Sequence, residues 1–275
     1  MAKTIKQCEE KSSVVRVLQL TDAHLFAEPD ATLLGMQTEL SFKAVLLDVI
    51  QRNINPDLIL LTGDLSQDRS EQAYLRLREH VLANFTCPVF WIPGNHDDFA
   101  RMSRILLRDN LYSDKHIVVG NWNIVLLNSQ VERKVHGWLS ESELKFMRDA
   151  LQAFPEHHPL VVMHHHPIDM QCDWIDTIGI QNAERFWEAL ESETLKAAVL
   201  WGHVHQELSA LHNGFHCMAT PSTCVQFKPG AVDFAADDIG PGYRILDLHQ
   251  HGQVETCVNR LPMDQFRVDH SIKGY

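Results

Sequence analysis

The sequence has no Cys-x-x-Cys pair, no excess of basic residues and no apolar run long enough to cross a bilayer. Its six cysteines, at 8, 87, 172, 217, 224 and 257, are scattered, and read as buried or idle reduced thiols of a cytosolic protein rather than a disulfide framework. No stretch approaches the ~20 apolar residues of a membrane span. The polar, charged residues 1–13 lack the apolar core of a signal peptide, so a cytoplasmic location and no membrane partner are expected. Basic residues are outnumbered 24 to 36, for a formal net charge of −12. So acidic a chain is a poor partner for a nucleic acid polymer, whose affinity comes from Lys and Arg on phosphates. A small anionic substrate stays open, with bound cations supplying the positive charge. No linker, repeat or low-complexity segment divides the 275 residues, so one domain over 1–275 is expected, with 1–13 as a loose polar N-terminus. Nothing in the sequence bears on oligomeric state.

What is present is a 45% apolar content and 17 histidines. Short apolar runs bounded by turn residues mark strands over 14–20, 57–61 and 88–92. Between them lie a helix over 38–53, with Leu40, Ala44, Leu47 and Ile50 at helical spacing, and one from the Ser70 cap to about 83. That alternation argues for right-handed crossovers and parallel pairing. Strands follow over 122–128, 160–163 and 197–201, with helices from a Ser140/Glu143 capping box to 154 and over 182–190. Asn213-Gly214 signals a tight hairpin, and 243–248 with 254–258 a last one. The expected class is α/β: two packed mixed β-sheets flanked by helices, a four-layer αββα sandwich.

Five of these apolar runs end in metal-ligand chemistry: Asp22 and His24, Asp64, Asn95 and His96, His164, and His203 with His205. Strands that each end in ligands describe one site at the C-terminal edge of a sheet. In extended backbone Asp22 and His24 would share a face, as would His203 and His205 behind Gly202. Gly94 is expected to take a φ closed to other residues, aiming Asn95 and His96 at one point. Asp64, after Gly63, could bridge two cations, and the Asn95 amide oxygen suits a hard or borderline ion. His164 opens the triple His164-His165-His166, of which one member need face the site; strand alternation favours His164, with His165 second. His80, His116, His157, His158 and His249 are expected at the surface or in packing. Each motif alone is commonly a polar turn, but the joint order Asp, His, Asp, Asn, His, His, His at strand ends is specific. Nitrogen and oxygen donors without thiolates fit iron, manganese or zinc and fit calcium badly. Seven ligands exceed what one open catalytic ion uses; two ions ~3.5–4 Å apart, bridged by a carboxylate, use them economically.

In this order the motifs resemble the calcineurin-like metallophosphoesterase superfamily. Gly35-Met36-Gln37-Thr38, Trp138-Leu139-Ser140, Thr220-Pro221-Ser222-Thr223 and Pro241-Gly242-Tyr243-Arg244 are further similar to the class III 3′,5′-cyclic nucleotide phosphodiesterases of bacteria. The resemblance implies a dinuclear centre in which Asp22, His24 and His205 hold one ion, Asn95, His164 and His203 the other, with Asp64 between them. It implies that His96 is the acid beside the scissile phosphate and Asp97 its orienting carboxylate, with His24, Asp64, Asn95, His96 and His205 around the substrate. The family's His-His-Pro-Pro reads His164-His165-His166-Pro167 here; alignment on the final Pro selects His164 and leaves His165 as the alternative. The implied activity is hydrolysis of 3′,5′-cyclic AMP to 5′-AMP by in-line attack of a hydroxide bridging two ions, iron and manganese before zinc. Other readings are a hydrolase of glycerophosphodiesters or 2′,3′-cyclic nucleotides, or a non-catalytic scaffold of the same fold, which should have lost ligands or His96. No aromatic-rich motif marks a base pocket.

Overall fold

Strands that are apolar at every position are buried on both faces, and this governs the architecture. The structure, a computed structural model, describes residues 3–5, 14–192 and 196–274. Its strands are β1 (Lys3–Ile5), β2 (Val14–Leu20), β3 (Thr32–Leu33), β4 (Met36–Gln37), β5 (Leu58–Thr62), β6 (Val89–Ile92), β7 (Leu111–Tyr112) and β8 (His116–Val119). They continue as β9 (Trp122–Leu126), β10 (His158–Val162), β11 (Ala198–Trp201), β12 (Leu208–His212), β13 (Phe215–Ala219), β14 (Gly242–His249) and β15 (Val254–Arg260). The helices are α1 (Thr38–Gln51), α2 (Glu71–Asn84), α3 (Phe99–Leu106), α4 (Glu141–Ala153), α5 (Asp173–Asp176) and α6 (Ala183–Glu191).

One mixed sheet runs β15-β14-β2-β5-β6-β7 and the other β1-β8-β9-β10-β11-β13-β12. Within them β2, β5 and β6 are parallel neighbours, as are β9, β10 and β11. Side-chain alternation then sorts each strand into two cores. Val17, Leu58, Leu60, Phe90 and Ile92 meet Ile124, Leu126, Leu160, Val162 and Leu200 between the sheets. The intervening Leu18, Ile59, Leu61 and Trp91 pack outward with residues of α1, α2 and α3. On the other side Val125, Val161, Val199 and Trp201 pack with residues of α4 and α6. The four layers are therefore helices, sheet, sheet, helices. Arg244, 1% exposed, ties the sheets together, donating from β14 to Thr220 Oγ1, Thr256 Oγ1 and the carbonyls of Leu208 and Ala219. Among the described residues, no helix is long and apolar enough to cross a membrane.

Several local expectations need correction. Helix α1 faces the core with Phe42, Val45, Leu46 and Val49, whereas Leu40, Leu47 and Ile50 are exposed. The helix is apolar on two sides, and the stripe holding the phenylalanine is the one that packs. At α4, Ser140 Oγ accepts from Glu143 N at 3.2 Å, but the Glu143 carboxylate does not close the box; it accepts from Asn128 N at 3.0 Å and from Lys115. Lys3–Ile5 pair with β8 as an edge strand, which satisfies backbone groups an open edge leaves unpaired; the rest of 1–13, expected as a loose polar N-terminus, lies outside the described residues. The Asn213-Gly214 turn has the positive φ values, 50° and 83°, that a tight hairpin requires.

The two stripes of α1 are separable by experiment. Leu46→Ala should cost about 2–5 kcal/mol, whereas Leu47→Ala should stay within about 0.5 kcal/mol of wild type. Chemical denaturation of both variants reads the difference, and equal costs would mean that α1 is rotated from the orientation described.

Candidate metal centre

The turns leaving β2, β5, β6, β10 and β11 bring all seven predicted ligands into one buried cluster. Their backbones are unusual. Asp22, His24, Asp64, His203 and His205 have φ of 55°, 46°, 50°, 66° and 48°. Left-handed backbone is sparsely populated outside glycine, with Asp, Asn and His the types that enter it most readily. Asp22 and His24 thus converge through successive left-handed turns and not, as expected, by extended alternation; the same holds for His203 and His205. The loops are laced together to hold these turns. Asp22 N donates to Gly63 O at 3.0 Å and His24 N to Asp64 O at 2.9 Å. Ser222 Oγ donates to Asp22 O at 2.7 Å, and Thr223 N to Thr21 O at 3.1 Å.

Gly94 has a different role from the one expected. Its φ is not positive; the constraint is space, since a Cβ there would overlap the Asp64 carboxylate and lie 2.7 Å from His164 Cε1.

The ring orientations are set from behind. His24 Nδ1 donates to Gln67 Oε1 at 2.5 Å, His164 Nδ1 to Thr62 O at 2.7 Å, and His205 Nδ1 to Val225 O at 2.7 Å. Each bond leaves Nε2 as the nitrogen turned inward. There His24 Nε2 and His205 Nε2 stand 3.1 Å apart, with Asp22 Oδ1 3.3 Å from the latter. His164 Nε2 lies 3.2 Å from Asn95 Oδ1 and 3.2 Å from Asp64 Oδ2. Both ring nitrogens of His203 are buried without a hydrogen bond. Buried acceptors aimed at acceptors are costly, and cations placed among them remove the cost. The donor set, all nitrogen and oxygen, therefore fits metal ions. Burial depresses His24 to about 3 and His203 well below the ordinary histidine range, so both are neutral donors. Burial also opposes charge on His164, but Asp64 beside it outweighs that and raises it to about 9; a proton there does what a bound cation would do.

His165 is within reach of His164 and His203, yet its ring is engaged elsewhere. Nε2 donates to Val135 O at 3.0 Å and Nδ1 faces Ser129 Oγ at 2.8 Å. His96, half-buried, meets His24 edge-on at 5.1 Å and its backbone N donates to Asp64 Oδ1 at 2.8 Å. Asp97 is not turned to the His96 ring. Its carboxylate accepts from Leu65 N, Ser66 N, Gly94 N and the Tyr74 hydroxyl, at 2.9 to 3.2 Å, and so pins the Asp64 loop to the Asn95 loop. Burial and the Asp64 charge push it up to about 7. His80 pairs with Glu39 and His116 with Asn123, as packing residues.

Sequence reasoning missed Gln67, Tyr74, Arg69 and Gln130. Arg69 donates to the carbonyls of Asn95 and His96, and Gln130 Nε2 to those of Gly94 and Asp97 at 2.7 Å each. Nothing distinguishes these from other polar loop residues until the fold brings them together. Outward from Asn95 and His96 opens a cleft of about 630 Å³ bordered by Arg69, Arg133, Lys134, Trp174 and Phe234.

Comparison with known proteins bears on this cluster directly. The calcineurin-like phosphoesterase family profile matches residues 15–207, a span that includes every predicted ligand. The chain is 40% identical, over 97% of both chains, to the 3′,5′-cyclic adenosine monophosphate phosphodiesterase CpdA of Haemophilus influenzae. It is 42% identical to the protein of the same name from Escherichia coli K12, over 95% of both. In fold it is similar to a dimetal phosphatase from Danio rerio, with a TM-score of 0.60 and 16% identity over 90% of this chain and 99% of the other.

The position of Asp97 yields an expectation. Asp97→Asn replaces an acceptor of four donors by an amide that cannot satisfy them all, and should lower stability by about 1–3 kcal/mol. Thermal melting checks this, and lost activity at an unchanged melting temperature would return Asp97 to a role at His96.

Proposed function

From the premise that the chain belongs to the calcineurin-like phosphoesterase family, we propose that it is a cytoplasmic enzyme that hydrolyses 3′,5′-cyclic AMP to 5′-AMP. The observation that carries this reading is the 40% identity to a cyclic AMP phosphodiesterase over 97% of both chains. In this reading Asp22, His24 and His205 hold one divalent cation, Asn95, His164 and His203 the other, and Asp64 is shared. The inward Nε2 atoms of His24, His164 and His205 and the unpartnered ring nitrogens of His203 support it. His164 rather than His165 is the ligand, because both nitrogens of His165 are engaged with Val135 and Ser129. Nitrogen and oxygen donors make iron or manganese the expected ions, with zinc accommodated.

The cations, when bound, supply Lewis acidity toward the phosphoryl oxygens and lower the pKa of water. The chain's own residues do the rest. Arg69 and Gln130 fix four loop carbonyls, so the Asn95 amide and the His96 ring are held before substrate arrives. Asn95 takes up negative charge on an equatorial oxygen. Water gives up one proton to solvent as it adds to phosphorus and the bond to the 3′ oxygen breaks, and His96 gives that oxygen a proton that it regains from solvent, a contribution of typically ~10²–10⁴-fold. Arg69, Arg133 and Lys134 make the cleft locally positive in a chain of net charge −12, which draws a small anion inward.

Turnover of cyclic AMP, cyclic GMP, a 2′,3′-cyclic nucleotide and a glycerophosphodiester by cation-reconstituted protein tests the reading. Cyclic AMP should lead, and a leading glycerophosphodiester would replace it. Asp64→Ala should lose both cations, read by elemental analysis; retention of two would remove the shared role. His96→Ala should keep its cations and lose about 10²–10⁴-fold on cyclic AMP, but far less on bis(p-nitrophenyl) phosphate, whose phenolate leaves unaided. Equal losses would make His96 a phosphate-positioning group.

A further inference from the structure

The outer wall of the cleft is aromatic, and it is not part of the cation cluster. Trp174, on α5, and Phe234 both line it, meeting edge-to-face with ring centres 5.1 Å apart. Behind them Phe227 meets Trp174 at 5.1 Å and Phe234 at 5.5 Å, and lies flat on His205 at 4.1 Å and 9°. A continuous train of rings thus runs from an inner histidine to the mouth of the cleft. The segment carrying Phe234 is held by an antiparallel bridge between Phe227 and Ala236 and by Lys228 N donating to Ala235 O at 2.9 Å. The Cys172 thiol donates to Ala231 O at 3.3 Å, and Asp176 accepts from Met170 N and Cys172 N, so α5 and this segment are joined. Two aromatic rings are therefore fixed across a cleft from a phosphate-handling cluster, with Arg69 on its rim.

We propose that Trp174 and Phe234 form the base platform of this enzyme, the base stacking on one ring and meeting the other edge-on, and so selecting purine cyclic nucleotides. The proposal rests on the cyclic nucleotide reading above and adds the residues that recognise the base. A ring system stacks according to its area and polarisability, whatever its hydrogen-bonding edge, and the nearby Thr177 hydroxyl is already spent on Trp174 O at 2.6 Å. Selection should therefore divide purines from pyrimidines and should act on binding, hence on KM more than kcat.

The test compares kcat/KM for cyclic AMP with that for the abasic ribose 3′,5′-cyclic phosphate. In Trp174→Ala and Phe234→Ala the preference for cyclic AMP should fall by roughly five- to a hundredfold, the range of base–aromatic stacking, through a raised KM. Trp174→Phe should restore much of it, and Val232→Ala, exposed on the same segment, should not alter it. Phe234→Ala keeps the test intact if loss of Trp174 impairs folding. Wild-type protein should prefer cyclic AMP to cyclic UMP. Cyclic AMP turnover with undiminished preference in both alanine variants would overturn the platform alone. Turnover of bis(p-nitrophenyl) phosphate without any of cyclic AMP would remove the substrate reading, and the platform with it.

Discussion

The crowding of carboxylate, amide and imidazole donor atoms in one fully buried cluster is the constraint on which this molecule turns. His24 Nε2 and His205 Nε2 face each other at 3.1 Å, and Asp64 Oδ2 lies 3.2 Å from His164 Nε2. Water cannot relieve such groups when they are fully buried, and protonation relieves them only in part. The surroundings must therefore impose the arrangement. Backbone carbonyls of Thr62 and Val225 and the Gln67 amide lock three rings from behind, while the doubly buried strands supply a frame that does not yield. Rigidity in the inter-sheet core and electrostatic tension at its edge are two sides of one design.

The predicted ligands and the aromatic rings at the cleft mouth come from overlapping stretches of chain. Every residue of the predicted ligand cluster lies inside the span that matches the phosphoesterase family, 15–207, as does Trp174, whereas Phe227 and Phe234 lie beyond it. A structure with 16% identity can share the fold at a TM-score of 0.60 without sharing a substrate. The matched span thus carries the predicted ligands and most of the cleft wall, including Arg69, Arg133, Lys134 and Trp174, and the segment that follows adds Phe234.

Strands announced themselves in the sequence because both faces are buried, so 58–61 or 89–92 are uninterrupted apolar runs. The ligand order could be read because each donor follows such a run directly. Orientation was harder. Both sides of α1 are apolar, so the helical spacing of Leu40, Ala44, Leu47 and Ile50 marks the helix without showing that Phe42, Val45, Leu46 and Val49 are the residues that pack. Gly94 looked like a torsional device, but its lack of a side chain serves the close approach of Asp64 and His164. Asp97 looked like a partner of its neighbour His96, whereas its four donors come from other turns and from Tyr74. Trp174 and Phe234 are far apart in sequence and meet only in the fold. What escaped sequence reading is in each case a contact between segments, invisible to any local pattern.

The left-handed turns narrow the evolutionary options at five ligand positions. A residue at Asp22, His24, Asp64, His203 or His205 must offer a donor atom and also tolerate positive φ, and few amino acids beyond Asp, Asn and His do both. Glycine meets the second demand perfectly and fails the first. In a lineage released from selection for catalysis, drift toward glycine at these positions would discard the donor and the backbone strain together. Glycine in these five turns would be the mark of that retirement, although it would also leave the His96 and His203 amides without the Asp64 and Asp22 carboxylates that accept from them.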